Sequence, residues 1–422
     1  MWRSPQAPNW GEAQGLLMSF TLTSFLLHTM SLYDDRWSVY ARMAIPIHAY
    51  PWSVLVLAVI MASDASFPEP RAFVFLGAWV LMFHSVRIYK SMHGVWTFGE
   101  WTVVTCILAV ALSETVACEN VGLDQAHHIV AATGTLGCLV ACAVAAKIPS
   151  VAVRIPVLVG TPLAFVEGAM HWHRLEFPAP RCINWLLDFL LGYEIAASPG
   201  LPRVTWVLYW VATLIIMVPV SALPRFLKLA PTVVMRKWFH LMAIILFTPV
   251  TLLSPQLMML SYAVALCGLM VVECIRPLLP KPIQDFYLGL SDTEKDKPGC
   301  VIISHMALIS GCAFPFWLSG CIGEDSKLLK LWGVMALGVG DSFGAIVGSS
   351  WGKTKWGWGR TRSLEGSLAM VISLSICCSL LREPCLVAVV FATLLEAFTS
   401  QIDNLVLPLA GAALLMFLSA KT

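Results

Sequence analysis

Apolar runs about as long as a membrane-spanning helix recur from the region of Gly15 to Phe417, leaving no room between them for a large soluble domain. A spanning helix needs roughly 20 consecutive apolar residues, and about 14 candidates can be drawn along the chain. The 422 residues are 58% hydrophobic and only 12% charged, whereas roughly a quarter of a soluble protein's residues are charged. The fold expected is all-α, a polytopic transmembrane helical bundle of about 13–15 spans. Met1 to Gln14 is polar and carries Pro5 and Pro8, without the basic-then-apolar order of a cleaved secretory signal. The first span is therefore expected to act as its own insertion signal.

A net charge of +2 gives no global basic field, so no nucleic-acid partner is expected. Thirteen Cys lie scattered in apolar segments without a C-x-x-C pair, which reads as small buried hydrophobes and not as a disulfide or zinc framework. The His127-His128 pair and His171-Trp-His173 lack a carboxylate or Cys at matching spacing and read as interfacial histidines. No obligate protein partner is evident.

Polar residues divide the chain into two regions. Residues 1–230 carry few intramembrane charges and read as a transmembrane scaffold; residues 231–422 place polar groups at and inside the ends of apolar segments and read as the catalytic region. Spans near Val233 to Leu253, Pro255 to Glu273, Cys300 to Gly320, Leu328 to Ser350, Gly366 to Leu381, Cys385 to Phe398 and Ile402 to Leu418 would alternate across the bilayer. On one side the connections collect Arg225, Lys228, Arg236, Lys237, Arg276, Lys281, Lys295, Lys297, Lys353, Lys355, Arg360 and Arg362, against Lys327, Lys330, Arg382 and Lys421 opposite. The positive-inside rule puts the basic side in the cytosol. The same alternation gathers Arg236, Asp341, Lys353, Glu365, Glu396 and Asp403 toward one cytosol-facing site.

Asp341 stands in an otherwise apolar stretch, and an ionisable residue at membrane depth is a functional candidate. Gly340, Gly344, Gly348 and Gly352 recur every four residues, a stripe that lets a second helix or a ligand approach the backbone. Lys353, Lys355, Arg360 and Arg362 follow in one loop, with charge enough for a di- or triphosphate. Gly348-Ser-Ser-Trp-Gly352-Lys353-Thr354 is no P-loop: it has three residues between the glycines where that motif has four, and it follows an apolar helix instead of a strand. Glu365 sits where the next span begins, suited either to a helix N-terminus or to a metal. Glu396, Ser400 and Asp403 share one face if the helix continues, and paired acids there could hold a divalent cation or take an alcohol's proton. Arg236 and His240 also share a helical face, either as a lipid anchor or as part of the site.

From Arg236-Lys-Trp-Phe-His240 to Pro408 the chain resembles the dolichol kinase family, in a larger group that includes phytol kinases and CTP-dependent diacylglycerol kinases. The resemblance is carried by Gly340-Asp-Ser-Phe-Gly-Ala-Ile-Val-Gly348, by Gly352-Lys-Thr-Lys355 running to Arg362-Ser-Leu-Glu-Gly-Ser367, and by Glu396-Ala-Phe-Thr-Ser-Gln-Ile-Asp-Asn404-Leu-Val-Leu-Pro408. It implies transfer of the γ-phosphate of CTP to dolichol or another polyprenol, giving dolichyl phosphate and CDP for glycosylation, at the endoplasmic reticulum membrane. The implied nucleotide-binding residues are Gly348, Gly352, Lys353, Lys355, Arg360, Arg362, Ser363 and Gly366, with Arg236 and Lys237. Asp341 and Glu365 would hold the divalent cation, Mg2+ or Ca2+, and Asp341, Glu396 and Asp403 form the catalytic set. Acceptors such as phytol or diacylglycerol stay open, as does a phospholipid cytidylyltransferase. A transporter would call for an inverted repeat, yet the charges and glycines cluster in one half.

Overall fold

The computed structural model describes residues 126–145, 148, 150–193, 200–226, 232–290, 302–321, 325–357, 362–399 and 403–420. The expected spans before Ala126, the Met1 to Gln14 segment, the charge run from Asp292 to Lys297, and Arg360 lie outside these residues. Everything described is helix or connection, with no strand beyond two isolated bridges. The helices are α1 (Ala126–Ala145), α2 (Val151–Trp172), α3 (Arg181–Leu191), α4 (Arg203–Phe226), α5 (Thr232–Leu253), α6 (Pro255–Ile275) and α7 (Lys281–Leu290). They are followed by α8 (Ser304–Cys321), α9 (Lys327–Val334), a π-helical segment (Met335–Asp341), α10 (Ser342–Ser350), α11 (Leu364–Leu381), α12 (Leu386–Phe398) and α13 (Asp403–Ser419). Among the described residues five stretches are long and apolar enough to cross a membrane: Val151–Trp172, Arg203–Val220, Pro255–Leu278, Lys327–Ser350 and Leu364–Leu381. The chain is a polytopic helical membrane protein.

Prolines inside the helices organise the packing. A helical proline has no N–H for the carbonyl four residues earlier, and in a membrane that carbonyl must find another partner. Pro249 leaves the Ile245 carbonyl, which accepts from the Tyr209 hydroxyl at 2.5 Å, while Trp210 Nε1 donates to the next carbonyl, Leu246, at 2.7 Å. These bonds fasten α4 to α5. Pro408 leaves the Asn404 carbonyl, and Pro315 leaves that of Gly311. A Cβ on Gly311 would lie 1.9 Å from the Asn404 oxygen, and one on Gly333 would lie 2.3 Å from the Gly311 oxygen. The backbones of α8, α9 and α13 are thus in direct contact, with Cα–H groups against the released carbonyls. Trp332, fully buried, closes the same junction against Gly411. Gly311→Ala is expected to cost about 1–3 kcal/mol by overpacking, seen as a lower melting temperature of the purified protein in detergent.

The far end of this core is tied by Glu383. It follows α11 and accepts from the backbone N–H groups of Lys327 (3.0 Å) and Leu328 (3.3 Å) and from the Ser326 hydroxyl. Those N–H groups open α9 and have no partner within the helix. With Arg382 in the left-handed conformation at φ 60° to end α11, the turn after one span caps the start of another.

The stretch after Arg276 contains α7, and His127 is buried, its ring 6.4 Å from that of Phe189. The described cysteines are free and are buried or half-buried.

Candidate functional site

The site lies where α5, α11 and α13 begin and α12 ends, around the π-helical segment. That segment interrupts the Lys327–Ser350 span with i→i+5 pairing, a register found frequently at functional sites. Its glycines permit close contact on two sides: a Cβ on Gly338 would meet Ile244 of α5 at 2.5 Å, and one on Gly340 would meet Leu374 of α11 at 2.9 Å. Asp341 ends the segment and is 2% exposed. Lys237, one turn before His240 on α5, donates to Asp341 Oδ2. His240 Nδ1 lies 2.7 Å from the Leu337 carbonyl and 3.6 Å from Asp341 Oδ2.

A second group joins this one. Arg362 Nε contacts Glu396 Oε1 at 2.8 Å, and its Nη2 contacts Asp403 Oδ2 at 3.4 Å. One guanidinium thus bridges acids from α12 and α13, and both acids are buried. Burial works against the Arg362 charge, but Glu396, Asp403 and Asp341 together hold its pKa above the ordinary value. Lys237, Asp341, Arg362, Glu396 and Asp403 form one electrostatic unit, since Asp341 and Lys237 also act on Glu396. With two cations against three acids, a fully ionised unit carries net −1, suited to a further cationic group.

The basic loop is folded back on the start of α11. The Trp356 N–H donates to the Arg362 carbonyl at 3.1 Å and the Leu364 N–H to the Thr354 carbonyl at 2.9 Å, closing an antiparallel bridge between Lys355 and Ser363. Trp356 anchors it: Nε1 donates to Ser367 Oγ at 2.9 Å, and the ring meets Phe398 edge-on at 5.1 Å. Ser363 Oγ accepts from the Gly366 N–H at 3.2 Å as the N-cap of α11. Glu365 accepts from the Thr354 N–H at 3.0 and 3.2 Å. Lys353 and Lys355 are exposed on the loop.

The glycine stripe brings α10 onto α11. A Cβ on Gly366 would lie 2.7 Å from the Gly344 carbonyl oxygen and 3.1 Å from the Gly348 Cα, and one on Gly352 would lie 2.4 Å from Ser363 Oγ. Gly348, Gly352 and Gly366 thus serve helix contact, and that contact sets where the loop emerges. Arg236 lies in the first turns of α5. The structure therefore pairs Lys237 with Asp341 and Arg362 with Glu396 and Asp403, two groups within electrostatic reach of each other, while Glu365, Ser363 and the glycines shape the adjoining loop. Sequence reasoning missed Trp356 and the π register. A Trp directly after Lys355 in the glycine-rich loop was the signal for the first, and nothing in a helical apolar pattern marks the second.

Carboxylate oxygens are the donors Mg2+ or Ca2+ would take. Among the described residues, however, no three His, Cys, Asp or Glu side chains meet to hold a metal, and Lys237 and Arg362 occupy the acids. The arrangement is not a protein cage. It fits a cation that arrives on phosphates and needs only one or two carboxylates, the usual mode for Mg2+ with nucleotides.

No family model matches the chain, and no solved structure matches it. Curated relatives do. Dolichol kinase EVAN of Arabidopsis thaliana is 30% identical over 254 residues, 55% of this chain and 42% of that protein. Dolichol kinase sec59 of Schizosaccharomyces pombe is 34% identical over 189 residues, 41% of this chain and 37% of that protein. The Homo sapiens dolichol kinase is 30% identical over 274 residues, 58% of this chain and 49% of that protein. The chain spans about half the length, or less, of the curated relatives it matches. Across plant, yeast and mammalian proteins the likeness is to dolichol kinases, over the matched part of this chain's length.

Proposed function

We propose that the chain is a CTP-dependent dolichol kinase of the endoplasmic reticulum membrane, transferring the γ-phosphate of CTP to the terminal hydroxyl of a polyprenol on the cytosolic face. The reading is carried by the five-residue charge cluster beside a basic loop, in a chain related to dolichol kinases. A polyprenol cannot leave the bilayer, so its hydroxyl must meet the nucleotide at the interface. A site built from the ends of spans suits that meeting.

Phosphoryl transfer needs positioning and charge neutralisation more than covalent work by the protein. Lys353, Lys355, Arg360 and Arg362 hold the triphosphate, with Arg236 and Lys237 near the start of α5. Glu396 or Asp403 orients the alcohol and accepts its proton. The alcohol oxygen bonds to the γ-phosphorus as the bond to the β-phosphate oxygen breaks, and CDP leaves. Asp341 is the carboxylate assigned to the divalent cation, with Glu365 supporting the loop that presents the phosphates. When bound, that cation neutralises charge on the phosphates. The basic residues support a cytosolic placement, although Lys237, Arg276 and Arg362 also make ion pairs within the protein.

Purified protein given CTP labelled in the γ-phosphate, Mg2+ and dolichol is expected to yield labelled dolichyl phosphate and CDP. Parallel reactions with phytol, diacylglycerol and ATP are expected to be weaker. Release of pyrophosphate instead of CDP would mark a cytidylyltransferase and overturn the kinase reading.

A further inference from the structure

We propose that His240 is a positioning residue whose Nδ1–H, donated to the Leu337 carbonyl inside the π-helical segment, holds Asp341 in reach of Lys237. A carbonyl only accepts, so the 2.7 Å contact puts a proton on Nδ1. The Leu337 oxygen also receives the Ser342 hydroxyl at 3.3 Å, so two side chains, one from a different helix, bind a carbonyl within the altered register. The link to Asp341 is geometric. Leu337 and Asp341 lie in the same seven-residue segment, and Lys237 and His240 lie one turn apart on α5. Two bonds therefore join the same pair of elements: His240 to the backbone and Lys237 to the carboxylate. Gly338 brings α5 close enough for both, because its missing Cβ is what Ile244 fills. Without the His240 bond the segment can return to ordinary α-helical pairing. Each residue of shift in an α-helix rotates a side chain by about 100°, which would turn Asp341 away from Lys237.

The test exploits the shapes of Asn and Gln. The Asn amide nitrogen falls near the place of His Nδ1, and the Gln amide nitrogen near that of Nε2, so His240→Asn preserves the donor and His240→Gln does not. The first readout is a thermal double-mutant cycle in detergent and needs no assay of activity. Lys237→Met is expected to lower the melting temperature by the same amount in wild-type and His240→Asn backgrounds, and by less than half as much in His240→Gln and His240→Leu. The second readout rests on the proposed kinase activity. His240→Asn is expected to keep a kcat on the order of tenfold above that of His240→Gln, the equivalent of one hydrogen bond, with KM for CTP similar in the two. Equal losses from Lys237→Met in every background would overturn the proposal, as would better rescue by Gln than by Asn. A wild-type protein that transfers no phosphate would overturn the kinase reading, while the thermal cycle would still decide the role of His240.

Discussion

Replacing Asp341 with Asn is expected to reduce phosphoryl transfer to roughly 1% of wild type or less, the scale of losing one preorganised electrostatic group in a water-poor site. Asn keeps the volume and one acceptor for Lys237 but not the counter-charge, so the protein should still insert and melt above the Ala variant. Asp341→Ala should be equally inactive and clearly less stable. It strands the Lys237 ammonium, whose side chain is only 9% exposed, and removing one partner of a buried pair costs about 3–5 kcal/mol. Adding Lys237→Met to Asp341→Ala removes the stranded charge and should restore much of the melting temperature without restoring activity. Initial rates with labelled CTP, read beside thermal melts, separate the two losses. A normally active Asp341→Asn enzyme would remove Asp341 from the site.

The helices were legible because each follows from a local rule. The expected spans from Val233 onward fall within a few residues of α5, α6 and α8 to α13, since an apolar run bounded by Ser, Gly, Pro or charge fixes both a helix and its ends. Only part of the site could be read in the same way. Asp341, Glu396 and Asp403 stand out because a carboxylate in an apolar run is costly wherever it packs. Their partners are a matter of which helices touch, and one apolar face does not specify its neighbour. The glycine stripe illustrates the limit. Its spacing predicts a close approach by helix or ligand, and the observed approach is by α11 through Gly366. The π register is less legible still, because it depends on His240 and Ile244 from a helix about a hundred residues earlier in the chain.

Arg362 should be as demanding as Asp341, for a different reason. Its Nε and Nη2 reach acids on two separate helices, a fork that the single ammonium of lysine cannot reproduce. Arg362→Lys is therefore expected to lose at least about tenfold in kcat/KM, and Arg362→Met about a hundredfold or more, on the scale of charge-assisted bidentate contacts. The Met variant should also lose stability, because Glu396 and Asp403 would then be two buried acids without their shared counter-charge. Glu396→Gln introduced into Arg362→Met relieves that repulsion and should recover the melting temperature. If activity in the recovered double variant stays well below that of Glu396→Gln alone, Arg362 has a duty beyond holding the acids, as a phosphate ligand should. Activity that returned with the melting temperature would confine Arg362 to the fold and shift the burden of phosphate binding to Lys353 and Lys355, whose exposed positions on the loop leave them free of any such structural role.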